Sequence, residues 1–175
     1  MTRLVLASAS PARLSVLQAA GVDPVVRVSD VDEDTVTAAL PPGTGPEATV
    51  VELAKAKAHK VAGELTGGLD GVCWLEGADA FDCVVVGCDS MLHIDGALQG
   101  KPLTAAVARE RWREMAGRTG DLLTGHCVLR LRDGQAVTRH HDHLVGVGHL
   151  DGCVRCVGRL RCLRLAVTGC SCNTG

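Results

Sequence analysis

Apolar positions along this chain fall into two rhythms, short unbroken runs and helical spacing, and each rhythm marks an element. Leu4-Val5-Leu6 is an apolar run read as a short buried strand, and it halts at the small residues Ala7-Ser8-Ala9-Ser10. Pro11 then opens a helical pattern with Leu14, Val16 and Leu17 on one face, Ser10 as N-cap and Gly21 as stop. Val25 to Val28 predicts a second strand running into the acidic cluster Asp30-Val31-Asp32-Glu33-Asp34. After a proline- and glycine-rich loop, Pro41 to Pro46, a helix is predicted from about Glu47 to Glu64, with Val51, Leu53 or Ala54, Ala58 and Val61 inward. Residues 67–77 read as irregular. Val84-Val85-Val86 is the strongest strand signal, and it leads into Gly87-Cys88-Asp89-Ser90. Met91 to Ile94 with Asp95-Gly96 predicts a strand and tight turn, and Thr104 to Met115 a helix capped by Thr104 and stopped by Gly117. Cys127 to Leu131 and Ala136-Val137 flank Asp133-Gly134, a hairpin signal. Strands alternating with helices predict an α/β fold with a mixed sheet, in one domain or two closely joined lobes.

Composition narrows the classes. The 175 residues suffice for a real core, and the net charge of -2 suggests neither nucleic-acid wrapping nor an acidic tail. No stretch approaches the roughly 20 apolar residues of a membrane span. Arg3, Ser8 and Pro11 interrupt the N-terminus too early for a signal peptide, so a cytoplasmic protein is expected, without nucleic acid or membrane as partner. Nine cysteines are an odd count and argue against a disulfide framework. From Arg139 the composition breaks: four histidines, five cysteines and five arginines appear without a lysine.

Ser8-Ala9-Ser10 lies at the carboxyl end of a strand and directly before a helix, where backbone N–H groups, two hydroxyls and the helix dipole favour an anion; Arg13 adds a guanidinium one turn in. Spacing alone favours the plainer reading, a simply capped helix with a solvated Arg. Asp89, two residues past Val84-Val85-Val86 and Gly87, is expected to emerge at a strand's C-terminal edge, placed to ligate a divalent cation or take a proton from water, or else to cap a turn. Gly100-Lys101-Pro102 sets a cation on a rigid turn. Lys55 and Lys57, two apart on one helix, face different sides, so one can point inward while the other is solvated. Together, the cations Arg13, Lys57 and Lys101 and the carboxylates Glu33 and Asp89 suit a polyphosphate with a divalent metal. There is no Walker-type loop. In the tail, Cys153-Val154-Arg155-Cys156, Cys162, Cys170 and Cys172, with His140, His141, His143 and His149, offer zinc ligands, at a spacing unlike paired CxxC knuckles.

With these residues assembled, the chain resembles the Maf family of nucleoside triphosphate pyrophosphatases. LVLASASPAR is similar to that family's opening strand–loop–helix signature, with Ala12 in place of the first of two arginines and Arg13 as the second. Val31-Asp32-Glu33 resembles its acidic motif, LAKAKA (Leu53 to Ala58) its lysine motif with Lys57 aligned, and VVVGCDSML (Val84 to Leu92) its aspartate strand, with Cys88 replacing an Ala. Gly100 to Pro102, Met115-Ala116-Gly117 and Thr124-Gly125 complete the set. The resemblance implies a mixed twisted sheet with flanking helices and a central nucleotide cleft, like that of inosine triphosphatases. It implies hydrolysis of a nucleoside triphosphate to a monophosphate and pyrophosphate with Mg²⁺ or Mn²⁺, and it leaves room for a homodimer. Asp89 would be the proton acceptor; Ser8, Ser10, Arg13, Lys57, Lys101 and Thr124 would bind substrate; Glu33 and Asp89 would meet the metal.

The resemblance covers residues 1–138, and 139–175 depart from it. The bias of this tail is what out-of-frame translation of a GC-rich gene produces, and a frameshift is the expectation there. Without the family's closing segment, sheet edges and apolar surface would be bared. A poorly folded or weakly active chain, or a nucleotide binder without turnover, is then expected; a zinc-binding interaction protein built on the tail is the further alternative.

Overall fold

The computed structural model describes residues 2–66, 82–132, 135–137, 146–151 and 165–167. Along the chain run β1 (Arg3–Ala7), α1 (Pro11–Ala19), β2 (Val25–Val26), α2 (Glu33–Ala38), α3 (Pro46–Thr66), β3 (Asp82–Ile94) and β4 (Ala97–Gln99). They are followed by α4 (Ala105–Met115), β5 (Thr119–Arg132), β6 (Gln135–Val137), β7 (Gly146–Asp151) and β8 (Leu165–Val167). The sheet is mixed, as expected, in the order β2-β1-β3-β5-β7-β8, with β4 on β3 and β6 on β5. Two compact units divide the chain, Met1–Asp89 with Gly125–Leu144, and Ser90–Thr124 with Val145–Gly175.

In the first unit, β1 pairs in parallel with β2 and with β3, from Arg3↔Cys83 to Ala7↔Gly87. Parallel strands are covered on their faces, and here α3 supplies the cover. Its Ala54, Ala58, Val61, Ala62 and Leu65 pack with Val5, Ala7, Cys83, Val85, Cys127, Leu129 and Leu131 into one apolar core. Two glycines set the depth of that packing. A Cβ on Gly87 would lie 2.3 Å from the Ala54 carbonyl oxygen and 2.7 Å from the Ala58 nitrogen; one on Gly125 would lie 2.3 Å from the Val50 carbonyl oxygen. Real side chains never approach backbone that closely, so α3 rests directly on both strands because they carry glycine there. Gly87→Ala should therefore destabilise the fold by about 1–3 kcal/mol, the usual result of overpacking a filled site. The check is the thermal midpoint; an unchanged one would show that α3 is not held at this depth. At the other end of β3, Asp82 accepts from Thr2 at 2.7 Å and from both forks of Arg130 at 3.1 Å. The Arg130 hydrogen bond foremost, then Thr2, hold its carboxyl below the usual range.

Several expectations need correction. Val16 is 69% exposed and no residue of α1 is fully buried, so the face predicted for it touches the protein only through the half-buried Leu14 and Leu17. The second strand stops at Val26; Arg27 N–H still reaches the Leu6 carbonyl, but Asp30 takes a φ of 44° that no strand allows. The acidic cluster contains a short helix, α2, because Asp32 accepts from the Asp34 and Thr35 N–H groups and from the Thr35 hydroxyl as its N-cap.

In the second unit, the turn expected at Asp95-Gly96 forms with φ of 51° and 77°, joining β3 to β4 as a hairpin. Thr104 caps α4 through the Val107 N–H at 3.2 Å. In the tail, β7 pairs antiparallel with β5 from Thr119↔Asp151 to Thr124↔Gly146, and β8 pairs with β7. Ladder partners, rather than local propensity, make these strands. In the first unit, β5 and β6 pair from Arg130↔Val137 to Arg132↔Gln135, as the hairpin signal predicts; Asp133-Gly134 themselves, the irregular 67–77 stretch and the tail's cysteines and histidines lie outside the residues whose side chains are described.

Candidate active site

The first unit gathers two small clusters. At the carboxyl end of β1, Ser8 is 7% exposed; its Oγ accepts from Arg13 Nη1 at 2.7 Å and from the Ser10 N–H at 3.3 Å. Ser10 occupies the N-cap position as predicted, yet its side chain makes no capping hydrogen bond. The first amides of α1 have no carbonyl a turn earlier to accept from them.

The second cluster joins three elements. Lys57 on α3 donates from Nζ to Asp89 Oδ1 at 2.5 Å and to Glu33 Oε1 at 2.6 Å. Side-chain exposures are 12% for Lys57, 7% for Asp89 and 47% for Glu33, so the Lys57–Asp89 pair is the buried one. Asp89 Oδ2 is buried and has no hydrogen-bond partner. Lys55 turns away to Glu52 at 3.0 Å, as the two-residue offset predicted. Cys88, 4% exposed, ties the clusters together. Burial pushes its thiol up, while the positive charges of Arg13 and Lys57 pull it down and the Asp89 charge adds a small push. Arg13, Lys57 and Asp89 thus all act on one buried atom.

Asp89 does not emerge at a strand end, which corrects the sequence expectation: β3 runs unbroken to Ile94. The parallel partner β1 stops opposite Gly87, and β4 takes up pairing only at Leu92. Asp89 therefore falls in the stretch of β3 after its pairing with β1 ends and before its pairing with β4 begins.

The remaining sequence candidates belong to the second unit. Lys101 is exposed beyond β4. Thr124 shares a hydrogen bond of 2.9 Å with Ser90, a hydroxyl that the sequence reading passed over. Among the described residues, no group of three or more His, Cys, Asp or Glu is gathered that could cage a metal ion. A hard cation bound mainly through substrate phosphates needs only one or two carboxylates, and an unpartnered buried oxygen on Asp89 beside Glu33 fits that requirement. Among the described residues, no helix is long and apolar enough to cross a membrane.

A family model described as Maf-like protein matches residues 3–151, past the expected limit at 138 and through β7. A nucleoside triphosphate pyrophosphatase of Nocardia farcinica (strain IFM 10152) is 63% identical over 139 residues, 79% of this chain and 60% of the relative. Proteins of the same name from Rhodococcus opacus (strain B4) and Mycolicibacterium paratuberculosis (strain ATCC BAA-968 / K-10) are 58% and 59% identical, over 85% and 79% of this chain and 65% and 61% of theirs. The chain therefore spans less than two thirds of the length of these relatives.

Proposed function

Because this chain belongs to the Maf-like protein family, we propose that it hydrolyses nucleoside triphosphates between the α and β phosphates, giving a nucleoside monophosphate and pyrophosphate. The observation that carries this reading is Asp89: a buried carboxylate with one oxygen fixed by Lys57 and the other unpartnered. Such a group is oriented and desolvated, as a general base should be. Oδ2 takes a proton from water as the water oxygen bonds to the α phosphorus, and the α–β bridging bond breaks with its electron pair leaving on pyrophosphate. Arg13, with the Ser8 and Ser10 hydroxyls and the first amides of α1, meets the phosphate oxygens. Lys57 Nζ has a third N–H beyond the two given to carboxylates, and it can add to this charge. Glu33 and Asp89 would hold a divalent cation, Mg²⁺ or Mn²⁺, whose chemistry is neutralisation of phosphate charge. Lys101 and Thr124 stand as substrate contacts on the family resemblance alone.

Pyrophosphate release from a panel of nucleoside triphosphates with Mg²⁺ or Mn²⁺ tests the proposal, and tight nucleotide binding without release would replace it by a binding role. Arg13→Ala should weaken kcat/KM about 10- to 100-fold, the loss of one charge-assisted contact, with most of it in KM. A variant with unaltered KM would remove Arg13 from the phosphate site.

A further inference from the structure

Lys57 stands where a metal ion would be drawn. Its ammonium lies between Glu33 Oε1 and Asp89 Oδ1, 2.6 and 2.5 Å away, and these are the carboxylates assigned to the divalent cation. Asp89 Oδ2 is buried and left unpartnered. We infer that Lys57 is an internal counter-cation which competes with the divalent metal for Glu33 and Asp89, keeping metal affinity low until a triphosphate supplies further negative charge. The inference rests on the proposed use of a divalent cation.

Electrostatics gives its direction. A single positive charge already neutralises half of the two carboxylates, and its removal leaves both facing an incoming cation at short range in a partly buried place. Phosphate reverses the balance, since it attracts the ammonium and the metal alike. Lys57 would then turn its donors toward the phosphate while the carboxylates become available. Its low exposure and its position beside Ala58, seated on Gly87, leave the stem fixed and only the ammonium end to shift.

The test is Mn²⁺ binding to the metal-stripped 175-residue chain without nucleotide, followed by the electron spin resonance of free Mn²⁺. Lys57→Met should bind Mn²⁺ at least about tenfold more tightly than the wild type, because a repelling charge within a few ångströms has been deleted. Lys57→Gln keeps an amide donor group without the charge and should share the gain; it decides the matter where Lys57→Met does not fold. Glu33→Gln should bind more weakly than the wild type. Unchanged or weaker Mn²⁺ affinity in Lys57→Gln, or no Mn²⁺ bound by any of these proteins, overturns the inference. Pyrophosphate release by the wild type, measured in parallel, separates the two ideas. Turnover with no affinity gain sinks the competition alone, and an affinity gain with no turnover sinks the hydrolytic reading alone.

Discussion

Asp89→Asn should slow pyrophosphate release by about 10²- to 10⁴-fold, the contribution expected of a positioned general base. The substitution keeps the shape of the side chain, and the amide oxygen can still accept from Lys57 in place of Oδ1. What changes is the other atom: an unpartnered acceptor becomes an N–H donor that can take no proton. The loss should fall on kcat with KM little altered, since the phosphates are met by Arg13 and the start of α1 rather than by Asp89. A cooperative melt must accompany the loss for it to count as chemistry. Turnover within a few-fold of the wild type would remove Asp89 from the proton-accepting role and leave Glu33, exposed and paired to Lys57, as the remaining carboxylate to examine.

Local signals were legible wherever a feature is built from neighbours in the chain. Ser10 and Pro11 at the start of α1, the Asp95-Gly96 turn and the Thr104 cap all formed as predicted. Helical spacing alone put Val51, Leu53 or Ala54, Ala58 and Val61 on the buried side of α3, and all five are buried. The site was legible as a set of residue types but not as a geometry. Spacing said that Lys55 and Lys57 diverge; only the packing of α3 onto Gly87 decides which of them meets Asp89. A glycine inside the strongest strand signal was the available clue to that close approach. Asp89 was placed at a strand end because Gly87 to Ser90 interrupts two apolar runs. The strand continues because successive partners, β1 and then β4, hold it on either side. Glu33 was singled out as a site carboxylate, but its pairing with Lys57 depends on a helix too short to show a period.

Lys57→Met should lower stability by about 3–5 kcal/mol in the absence of metal and nucleotide, since it strands a buried carboxylate without its partner. The size of that effect separates the two ion pairs that Lys57 makes. Its pair with Asp89 is shielded on both sides, at 12% and 7% exposure, whereas Glu33 is 47% exposed and largely hydrated. Screening by water limits an exposed pair to about 0–1 kcal/mol, so Glu33→Gln should scarcely move the denaturation midpoint. The Lys57→Met, Asp89→Asn double variant should regain part of the loss, because no buried charge is then left unpaired. Urea denaturation of the wild type, the single variants and the double variant supplies the full cycle. If Lys57→Met and Glu33→Gln lose equal stability, the burial of Asp89 is not what makes its pair matter. If the double variant is as weak as the sum of its parts, the two groups are not coupled, and Lys57 cannot be what holds the base in place.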